Sequence, residues 1–410
     1  MRLAPLLLIL SIGVAAGCAS NAGTFAPGQH ASNVRRDGMN ISRALPGTAS
    51  PTPVPAGQAG CAQAGPGPGG PGPATCAVLK ALIAAGKIPV GGLSAAQLRA
   101  AYGLGAAQSS GVPAGPAIAI VVAFDSPSAE QDLATYRSQF GLPACTTPNG
   151  CFQKIVVPPT PGDPPPAPQP PKSLDGTTWS DERALDLAMA SAACPSCKLM
   201  LVEAAGEDLD SLSAAVNVAA THLPVAIANS WGVPEGGGNV PNIDSDAQAA
   251  FNHPGIAITA SAGDLGSGAV QFPASSPYVT SVGGTTLALN LLSARGWTET
   301  AWGGTGNGCS IMVGQPPWQN GGATCSGQRS IPDVSVLADV NVGVAVYNTN
   351  DGGWVVLGGT SLGAPFVAGL YAAANDYGAG TTGAPSLYAN LSSLNVVPGT
   401  NGSPDGLTGF

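Results

Sequence analysis

The sequence predicts an α/β domain with a mostly parallel central sheet, extending from about residue 94 to the end of the chain. Two observations carry this prediction: apolar runs of strand length recur along the chain, and helical segments separate them. Strands connected in this way form parallel sheets covered by helices, and such sheets bind ligands at the carboxyl ends of their strands.

The individual elements follow from local patterns. A helix is predicted to begin at Ser94, because Ser94 and Gln97 have the spacing of a capping box. Residues 117–124 form a continuous apolar run typical of a buried strand, and residues 131–140 are predicted to form the helix after it. Further strands are expected at residues 198–202, 225–228, 256–260, 279–282 and 342–347, with a helix near residues 209–220.

The first residues have the character of an export signal. An apolar run follows Arg2 and is too short to span a bilayer, and small residues lead from it to Cys18. We expect residues 1–17 to be a signal peptide and Cys18 to be acylated as in lipoproteins, with plain secretion as the alternative. The chain is therefore expected to be exported, either extracellular or anchored to a membrane only through lipid on Cys18.

The region between the signal and the domain is poor in core-forming residues. Residues 18–75 are rich in Gly and Pro and are predicted to be a tether, because such a segment cannot bury enough apolar surface to fold. Residues 76–93 are predicted to be a short helical remnant or the end of a propeptide, with a helix over residues 76–85. The domain proper is expected over residues 94–410.

Cysteine usage supports export. The chain has nine cysteines, and eight remain if Cys18 carries lipid. An even set at close spacing in an exported chain predicts disulfides. The expected pairs are Cys61–Cys76, Cys145–Cys151, Cys194–Cys197 and Cys309–Cys325. For Cys194 and Cys197 the alternative is a redox or metal motif, but no second such pair and no nearby His supports it.

Charge is scarce, with 9% charged residues and a formal net charge of −9. The chain has no basic stripe or Lys/Arg cluster, which argues against nucleic acid as a partner. Few basic groups also limit the positive charge that develops when carboxylates are protonated, which suits an acid-tolerant protein. We expect a monomer.

The first candidate for chemistry is Ser361 in the string Gly-Gly-Thr-Ser, which precedes an apolar helical run at residues 366–375. The glycines allow a sharp turn that places Ser361 at a helix N-terminus, where free N–H groups stabilise an oxyanion. The alternative is a simple helix cap, which is the commoner meaning of Gly-Thr-Ser alone. The longer string Gly-Thr-Ser-x-x-x-Pro, which ends at Pro365, is more specific and is the nucleophile signature of subtilisin-like folds.

A serine nucleophile needs a base, and the three histidines do not provide one. His30 lies in the tether, and His222 and His253 lack the Gly and Thr that follow the catalytic His of subtilases. Carboxylates are the replacement that the sequence offers. Glu182 and Asp186 are four residues apart in a segment predicted to be a helix capped near Ser180, so both lie on one face.

Such a pair is usually a solvated surface feature. In a desolvated cleft, however, the two carboxylates share a proton and one pKa is held high. A third carboxyl group, Asp264, follows a predicted strand at the place where subtilases use an Asn side chain as an oxyanion donor. Gly-Asp-x-Gly is by itself usually a turn, and an Asp donates a hydrogen bond only when it is protonated.

With these motifs the chain resembles the sedolisin family of serine-carboxyl peptidases over about residues 94–410. The resemblance includes the helix at Ser94, Glu-x-x-x-Asp at residues 182–186, Asn-Ser-Trp-Gly at 229–232, Ser-Ala-Gly-Asp at 261–264, Arg-Ser-Ile-Pro-Asp-Val-Ser at 329–335, and Gly-Gly-Thr-Ser at 358–361. It implies a subtilisin-like three-layer domain and a serine-type endopeptidase that acts on polypeptides.

The resemblance also implies the role of each site residue. Ser361 attacks the peptide carbonyl, and Glu182 takes its proton as general base. Asp186 orients and tunes Glu182, and Asp264 helps to bind the oxyanion together with the backbone N–H of Ser361. It gives no catalytic role to Asp125, which follows the first strand of the domain.

Two features depart from the family pattern. Residues 19–93 are too short and too rich in Gly and Pro for the long folded propeptide that members usually carry. The family's C-terminal calcium site is shortened, with Asn395 where the first Asp belongs, Val396 beside it, and Asp405 as the match for the last Asp. The resemblance implies calcium binding at Asn395, Val396 and Asp405, at a site weakened by the loss of one charged ligand, because calcium prefers charged oxygen ligands.

Two functional hypotheses result. The first is an acid-active endopeptidase with an optimum on the order of pH 3–5, where a shared-proton pair and a protonated Asp264 coexist. The alternative is a catalytically weak or inactive surface lipoprotein that binds peptides, motivated by the missing propeptide and the shortened calcium loop.

Overall fold

The computed structural model describes residues 11–12, 75–76, 79–81, 92–105, 111, 113–158, 178–235, 243, 245–319, 325–374, 382–390 and 394–397. The helices are α1 (Ala95–Ala101), α2 (Ala129–Gln139), α3 (Trp179–Ala193), α4 (Leu209–Thr221), α5 (Ser245–Ala249), α6 (Gly363–Ala373) and α7 (Ala384–Ala389), with 3-10 turns at Thr349–Asp351 and Thr360–Leu362.

The strands are short and numerous. In chain order they are β1 (Ser11–Ile12), β2 (Thr75–Cys76), β3 (Leu79–Ala81), β4 (Ala117–Ala123), β5 (Phe152–Val156), β6 (Lys198–Ala204), β7 (Ala226–Asn229), β8 (Trp231–Pro234), β9 (Ala257–Ser261), β10 (Gln271–Phe272), β11 (Thr280–Leu289), β12 (Trp297–Ala301), β13 (Gly308–Gly314), β14 (Gln328–Ile331), β15 (Val334–Leu337), β16 (Val344–Asn348), β17 (Gly353–Gly358) and β18 (Asn395–Val396).

Within the described residues, the central sheet has ten strands in the order β18-β1-β15-β11-β9-β7-β4-β6-β5, with β12 paired to β11. The seven strands from β15 to β5 are all parallel to their neighbours. β1 and β12 are antiparallel to β15 and β11, respectively. The predicted α/β fold with a mostly parallel central sheet is confirmed.

The direction of the strand order reverses at β4. After β4 the chain forms β5 at the edge of the sheet, returns through β6, and then crosses to β7 on the other side of β4. Such a reversal opens a crevice at the carboxyl ends of the strands, where ligands bind in open α/β sheets. Ser230 directly follows β7 and Asp264 lies three residues beyond β9, so both belong to this end of the sheet.

Helices cover the sheet because their apolar residues need a partner. α4 packs on β4 and β6, and α6 packs on β7 and β9. α6 is apolar on nearly all sides and buries all but its last residue, because α3 packs on it as well. This packing joins the helix that carries Glu182 and Asp186 to the helix that begins just after Ser361.

The start of α3 differs in detail from the prediction. Its N-cap is Thr178, whose hydroxyl accepts from the backbone N–H of Asp181, while the Asp181 carboxylate accepts from the N–H of Thr178. Ser180 is already inside the helix and donates its hydroxyl to Asn348. Thr178 competes better because its side chain reaches two N–H groups of the first turn.

The helix predicted over residues 76–85 is wrong at the residues of this range that the structure describes, which are Cys76 and Leu79–Ala81. Cys76 belongs to β2, which pairs with β8, and Leu79–Ala81 forms β3, which pairs with β17. Open strand edges in the domain provide backbone partners for this segment, and such pairing outweighs a weak local preference for helix. The prediction for residues 342–347 was right about a strand, β16, but this strand lies with β17 and β3 in a separate antiparallel sheet.

Three of the predicted disulfides are formed: Cys145–Cys151, Cys194–Cys197 and Cys309–Cys325. Cys18 and Cys61 lie outside the described residues, as does most of the predicted signal and tether. Ser11–Ile12, within the predicted signal, forms β1. Among the helices that the structure describes, none has both the length and the apolar character required to cross a bilayer.

Candidate active site

Ser361 and Glu182 are in direct contact. The Ser361 hydroxyl donates a hydrogen bond to Glu182 Oε2 at 2.9 Å, and both side chains are completely buried. Glu182 lies in the first turn of α3, and Ser361 lies in the 3-10 turn that leads from β17 into α6. Gly359 makes this turn possible, because its φ of +90° lies in a region that other residues rarely adopt.

Asp186 lies one turn further along α3 and is also completely buried. The Ser230 hydroxyl donates to Asp186 Oδ1 at 2.7 Å. The Glu182 and Asp186 side chains are within hydrogen-bond contact of each other. The helix spacing therefore places both carboxyl groups on one face, and packing encloses that face completely.

The unpaired oxygens of this pair show where protons are needed. Among the described residues, Glu182 Oε1 and Asp186 Oδ2 are buried and receive no hydrogen bond from any N–H or hydroxyl group. Two ionised carboxylates cannot satisfy each other, whereas one shared proton satisfies both oxygens. The geometry therefore favours a pair that holds a proton between Glu182 and Asp186.

The electrostatics of the pair agree with this. Burial raises the pKa of Glu182 well above its ordinary value, and the negative charge of Asp186 raises it further. Burial also raises the pKa of Asp186, but the hydrogen bonds from Ser230 and Glu182 and the charge of Arg183 oppose that rise. The net effect raises the pKa of Asp186 to about 8, so both carboxyl groups bind a proton more readily than ordinary carboxylic acids do, in agreement with a shared proton.

Asp264 is held from one side only. The backbone N–H and the hydroxyl of Thr360 both donate to Asp264 Oδ1, each at 2.8 Å, whereas Oδ2 is buried and has no partner among the described residues. Burial raises the pKa of Asp264 to about 7, although the two Thr360 donors act to lower it. Below this pH the carboxyl group of Asp264 is protonated, and a protonated carboxyl group can donate a hydrogen bond.

Comparisons with known proteins agree with this geometry. No protein-family model matches the chain. It is 32% identical to kumamolisin from Bacillus sp. (strain MN-32) over 296 residues, which cover 66% of this chain and 50% of kumamolisin. It is 35% identical to sedolisin from Pseudomonas sp. (strain 101) over 150 residues, which cover 32% of this chain and 25% of sedolisin.

A solved structure extends the match. Pseudomonas sedolisin, a serine-carboxyl proteinase complexed with two molecules of pseudo-iodotyrostatin, matches 75% of this chain and 87% of that structure, with a TM-score of 0.60 and 26% identity. The chain belongs to the sedolisin family. It spans half the length of kumamolisin and a quarter of the length of sedolisin as curated proteins.

The structure brings together the four residues predicted for a sedolisin-type site: Ser361 contacts Glu182, Glu182 contacts Asp186, and Asp264 contacts the residue before Ser361. His222 ends α4 and is exposed, and His253 contacts the carbonyl of Ala250.

Asp125 takes part in a separate ionic cluster. It pairs with Lys154, which also pairs with the buried Glu203 at 2.9 Å. Glu203 in turn contacts Arg183 at 3.0 Å. These contacts bind Asp125 into an ionic cluster, and among the described residues it makes no hydrogen bond or ion pair with Ser361, Glu182 or Asp264.

Sequence reasoning missed two residues of the site. Ser230 contacts Asp186 and Ser361, and Thr360 holds Asp264. Both lie inside motifs that carry the sedolisin resemblance, Asn-Ser-Trp-Gly and Gly-Gly-Thr-Ser. Ser230 lies near the end of a predicted strand, and Thr360 directly precedes Ser361. These two positions were the sequence signals that could have identified both residues.

The predicted calcium ligands do not form a recognisable site in the described part of the chain. Asn395 and Val396 form β18 and pair with β1, and Asp405 lies outside the described residues. Among the described residues no group of three His, Cys, Asp or Glu is placed to hold a metal ion. The described residues thus lack the charged oxygen cluster that calcium prefers, and calcium binding stays a prediction.

Proposed function

We propose that this chain is a serine-type endopeptidase that hydrolyses peptide bonds of proteins in acid. The observation that carries the proposal is the hydrogen bond from Ser361 to Glu182, made within a buried pair of carboxyl groups. Membership of the sedolisin family supports a peptidase, because its named relative is a serine-carboxyl proteinase.

The acid pair accounts for activation of the serine. In the resting state one proton is shared between Glu182 Oε1 and Asp186 Oδ2, and the pair carries one negative charge. When Ser361 Oγ attacks the peptide carbonyl, its proton passes to Glu182 Oε2 and the shared proton moves to Asp186. The pair then holds two protons and is neutral, and the negative charge has moved to the carbonyl oxygen of the tetrahedral intermediate.

We assign the stabilisation of that charge to Asp264. Its protonated Oδ2 donates to the oxyanion, while Oδ1 is held by the two donors of Thr360. Collapse of the intermediate breaks the C–N bond, and the leaving amine takes the proton from Glu182. Water then attacks the acyl-enzyme and gives a proton to Glu182, and Glu182 returns that proton to Ser361 Oγ as the bond between the acyl carbon and Oγ breaks.

This mechanism requires acid. Asp264 must be protonated, so activity falls as the pH rises through about 7, the value to which burial raises its pKa. At low pH the acid pair binds a second proton and can no longer accept one from Ser361. We therefore expect activity to depend on pH as a bell-shaped curve, with its maximum below pH 7.

The test is hydrolysis of an unfolded protein from pH 2 to 8 by the intact chain and by Ser361→Ala. The matched control is Ser281→Ala, which removes another completely buried hydroxyl, one without a partner among the described residues. We expect the control to cleave like the wild type and Ser361→Ala to lose nearly all activity. Equal cleavage by Ser361→Ala would reject the assignment of the nucleophile.

The alternative function is a surface lipoprotein that binds peptides without turnover. Its supporting observation is the complete burial of Ser361 in this structure. It predicts that folded wild-type protein binds peptide but cleaves none across the pH range, with and without added calcium.

We further propose that the chain is exported and acylated on Cys18, which leaves the domain on the outer side of a membrane. Incorporation of labelled palmitate into the wild type, and its loss in Cys18→Ser, is the expected result. Release of unlabelled wild-type protein into the medium would favour plain secretion instead.

A further inference from the structure

Ser230 connects the two halves of the candidate site. It directly follows β7 and is completely buried. Its hydroxyl oxygen lies 2.7 Å from Asp186 Oδ1 and 3.3 Å from the carbonyl oxygen of Ser361. In return, the Ser361 hydroxyl lies 3.3 Å from the carbonyl oxygen of Ser230. Ser230 thus touches both the acid pair and the nucleophile.

Its hydroxyl has one proton for two nearby acceptors. Asp186 Oδ1 is the closer acceptor, at 2.7 Å against 3.3 Å for the carbonyl oxygen of Ser361, and a hydrogen bond to a carboxyl group becomes stronger when that group is ionised. The hydroxyl of Ser230 is therefore directed at Asp186. The two contacts of 3.3 Å with Ser361 show that this donor lies beside the nucleophile.

Other groups near Asp186 do not replace this donor. Glu182 shares a proton with Asp186, Arg183 on the same helix acts on it through charge, and Asp264 acts through charge on Glu182. Within the part of the chain that the structure describes, Ser230 is the one hydroxyl or N–H group that donates to Asp186 Oδ1.

We infer that Ser230 is a positioning residue for peptide hydrolysis: its hydroxyl favours the ionised form of Asp186, so that the acid pair takes up its second proton only at a lower pH. The inference rests on the proposed peptidase function. Under this inference Ser230 extends activity to lower pH, because an acid pair that holds two protons cannot accept the proton of Ser361.

Replacement of the hydroxyl should move the pH profile. In Ser230→Ala the charge of Asp186 loses its donor, so its pKa rises and the pair binds the second proton at a higher pH. We expect the acid limb of kcat/KM to move up by about one pH unit. We also expect kcat at the optimum to fall by about tenfold, with KM little changed.

Further variants separate positioning from packing. Ser230→Thr keeps the hydroxyl and should retain the wild-type acid limb. Ser230→Cys offers a weaker donor of similar size and should give an intermediate shift, which keeps the inference testable if Ser230→Ala does not fold. Ser281→Ala removes a buried hydroxyl elsewhere in the sheet and should leave the profile in place.

A second measurement needs no turnover. Infrared difference titration of Ser361→Ala, with Asp186→Asn to assign the band, reports the protonation of Asp186 directly. Adding Ser230→Ala should move that titration to higher pH. If the wild type cleaves nothing, the peptidase proposal fails and the infrared shift alone decides the role of Ser230. If the wild type cleaves, an acid limb and an infrared band that Ser230→Ala leaves unmoved would overturn the inference.

Discussion

Gly369 of α6 lies against Ala193 of α3 so closely that a Cβ atom on Gly369 would be 2.5 Å from the Cβ of Ala193. Real carbon atoms do not approach to this distance without bonding, so the two helices can pack this way only because residue 369 is glycine. At the start of α3, Glu182 contacts Ser361, which lies in the 3-10 turn that leads into α6. The spacing of α3 and α6 is therefore linked to the geometry of the candidate site.

Gly369→Ala should force the helices apart. We expect a loss of stability of about 1–3 kcal/mol, as for other overpacked cores, together with a lower kcat because the hydrogen bond from Ser361 to Glu182 lengthens. Urea unfolding and kcat/KM measure the two effects. The double variant Gly369→Ala/Ala193→Gly restores the space between the two helices and should recover most of the activity. Wild-type activity in the single variant would show that helix spacing does not control the site.

Asp264→Asn should change the alkaline limb of the pH profile. An asparagine keeps an oxygen that accepts from both donors of Thr360, and its amide nitrogen donates at every pH. We therefore expect activity to persist above pH 7, where a protonated Asp264 is lost. The measurement is kcat/KM from pH 2 to 9.

The paired control is Asp264→Ala, which removes the donor altogether. It should lower kcat by about 10²–10³ at the optimum. If both variants lose activity equally at every pH, Asp264 does not act as a hydrogen-bond donor to the oxyanion.

Stability should also depend on the buried carboxyl groups. The folded pKa of Asp264 is raised from 3.8 to about 7, so the folded state binds this proton more tightly than the unfolded chain does. The resulting stability is fully present below about pH 4 and is lost as the pH rises through about 7, with a span of roughly 4 kcal/mol. Burial of Glu182 and Asp186 acts in the same direction.

Scanning calorimetry at a series of pH values checks this. We expect Tm to rise as the pH falls from 8 to 4, and Asp264→Asn to show a smaller rise because its side chain does not titrate. A Tm that falls over this range in the wild type, or a rise of equal size in the variant, would contradict the assignment of the proton to Asp264.

The central sheet was predictable because buried parallel strands are continuous apolar runs. The strand expected at residues 225–228 is β7 (Ala226–Asn229), and the one expected at residues 256–260 is β9 (Ala257–Ser261). The shared face of Glu182 and Asp186 was also predictable from local sequence, because residues four apart in a helix lie one above the other.

What escaped prediction depends on contacts between distant parts of the chain. The donation from Ser230 to Asp186 requires the end of β7 to meet α3, and no local pattern reports that. The pairing of β3 with β17 joins Leu79 to Gly358. A short segment of weak propensity takes its conformation from such a partner, so the helix predicted there was wrong.

The strands β2 and β3 provide the last prediction, because they pair with the two segments that lead to the site. β2 pairs with Trp231 and Gly232, next to Ser230, and β3 pairs with β17, which runs into the turn that holds Ser361. Ser361 is completely buried in this arrangement. A peptide that binds as an added strand needs free backbone groups at a sheet edge, and these pairings occupy such groups in the two segments that lead to the site.

We therefore expect the intact chain to be less active than the same protein cut between β3 and α1. A recognition sequence for a specific protease, inserted between residues 81 and 92, allows kcat/KM to be measured on one sample before and after cleavage. Activity should rise after the cut, mainly through a lower KM, as β2 and β3 exchange with substrate. The same insertion in Ser361→Ala should stay inactive throughout. An unchanged kcat/KM after complete cleavage and removal of the released segment would show that these strands do not limit access to Ser361.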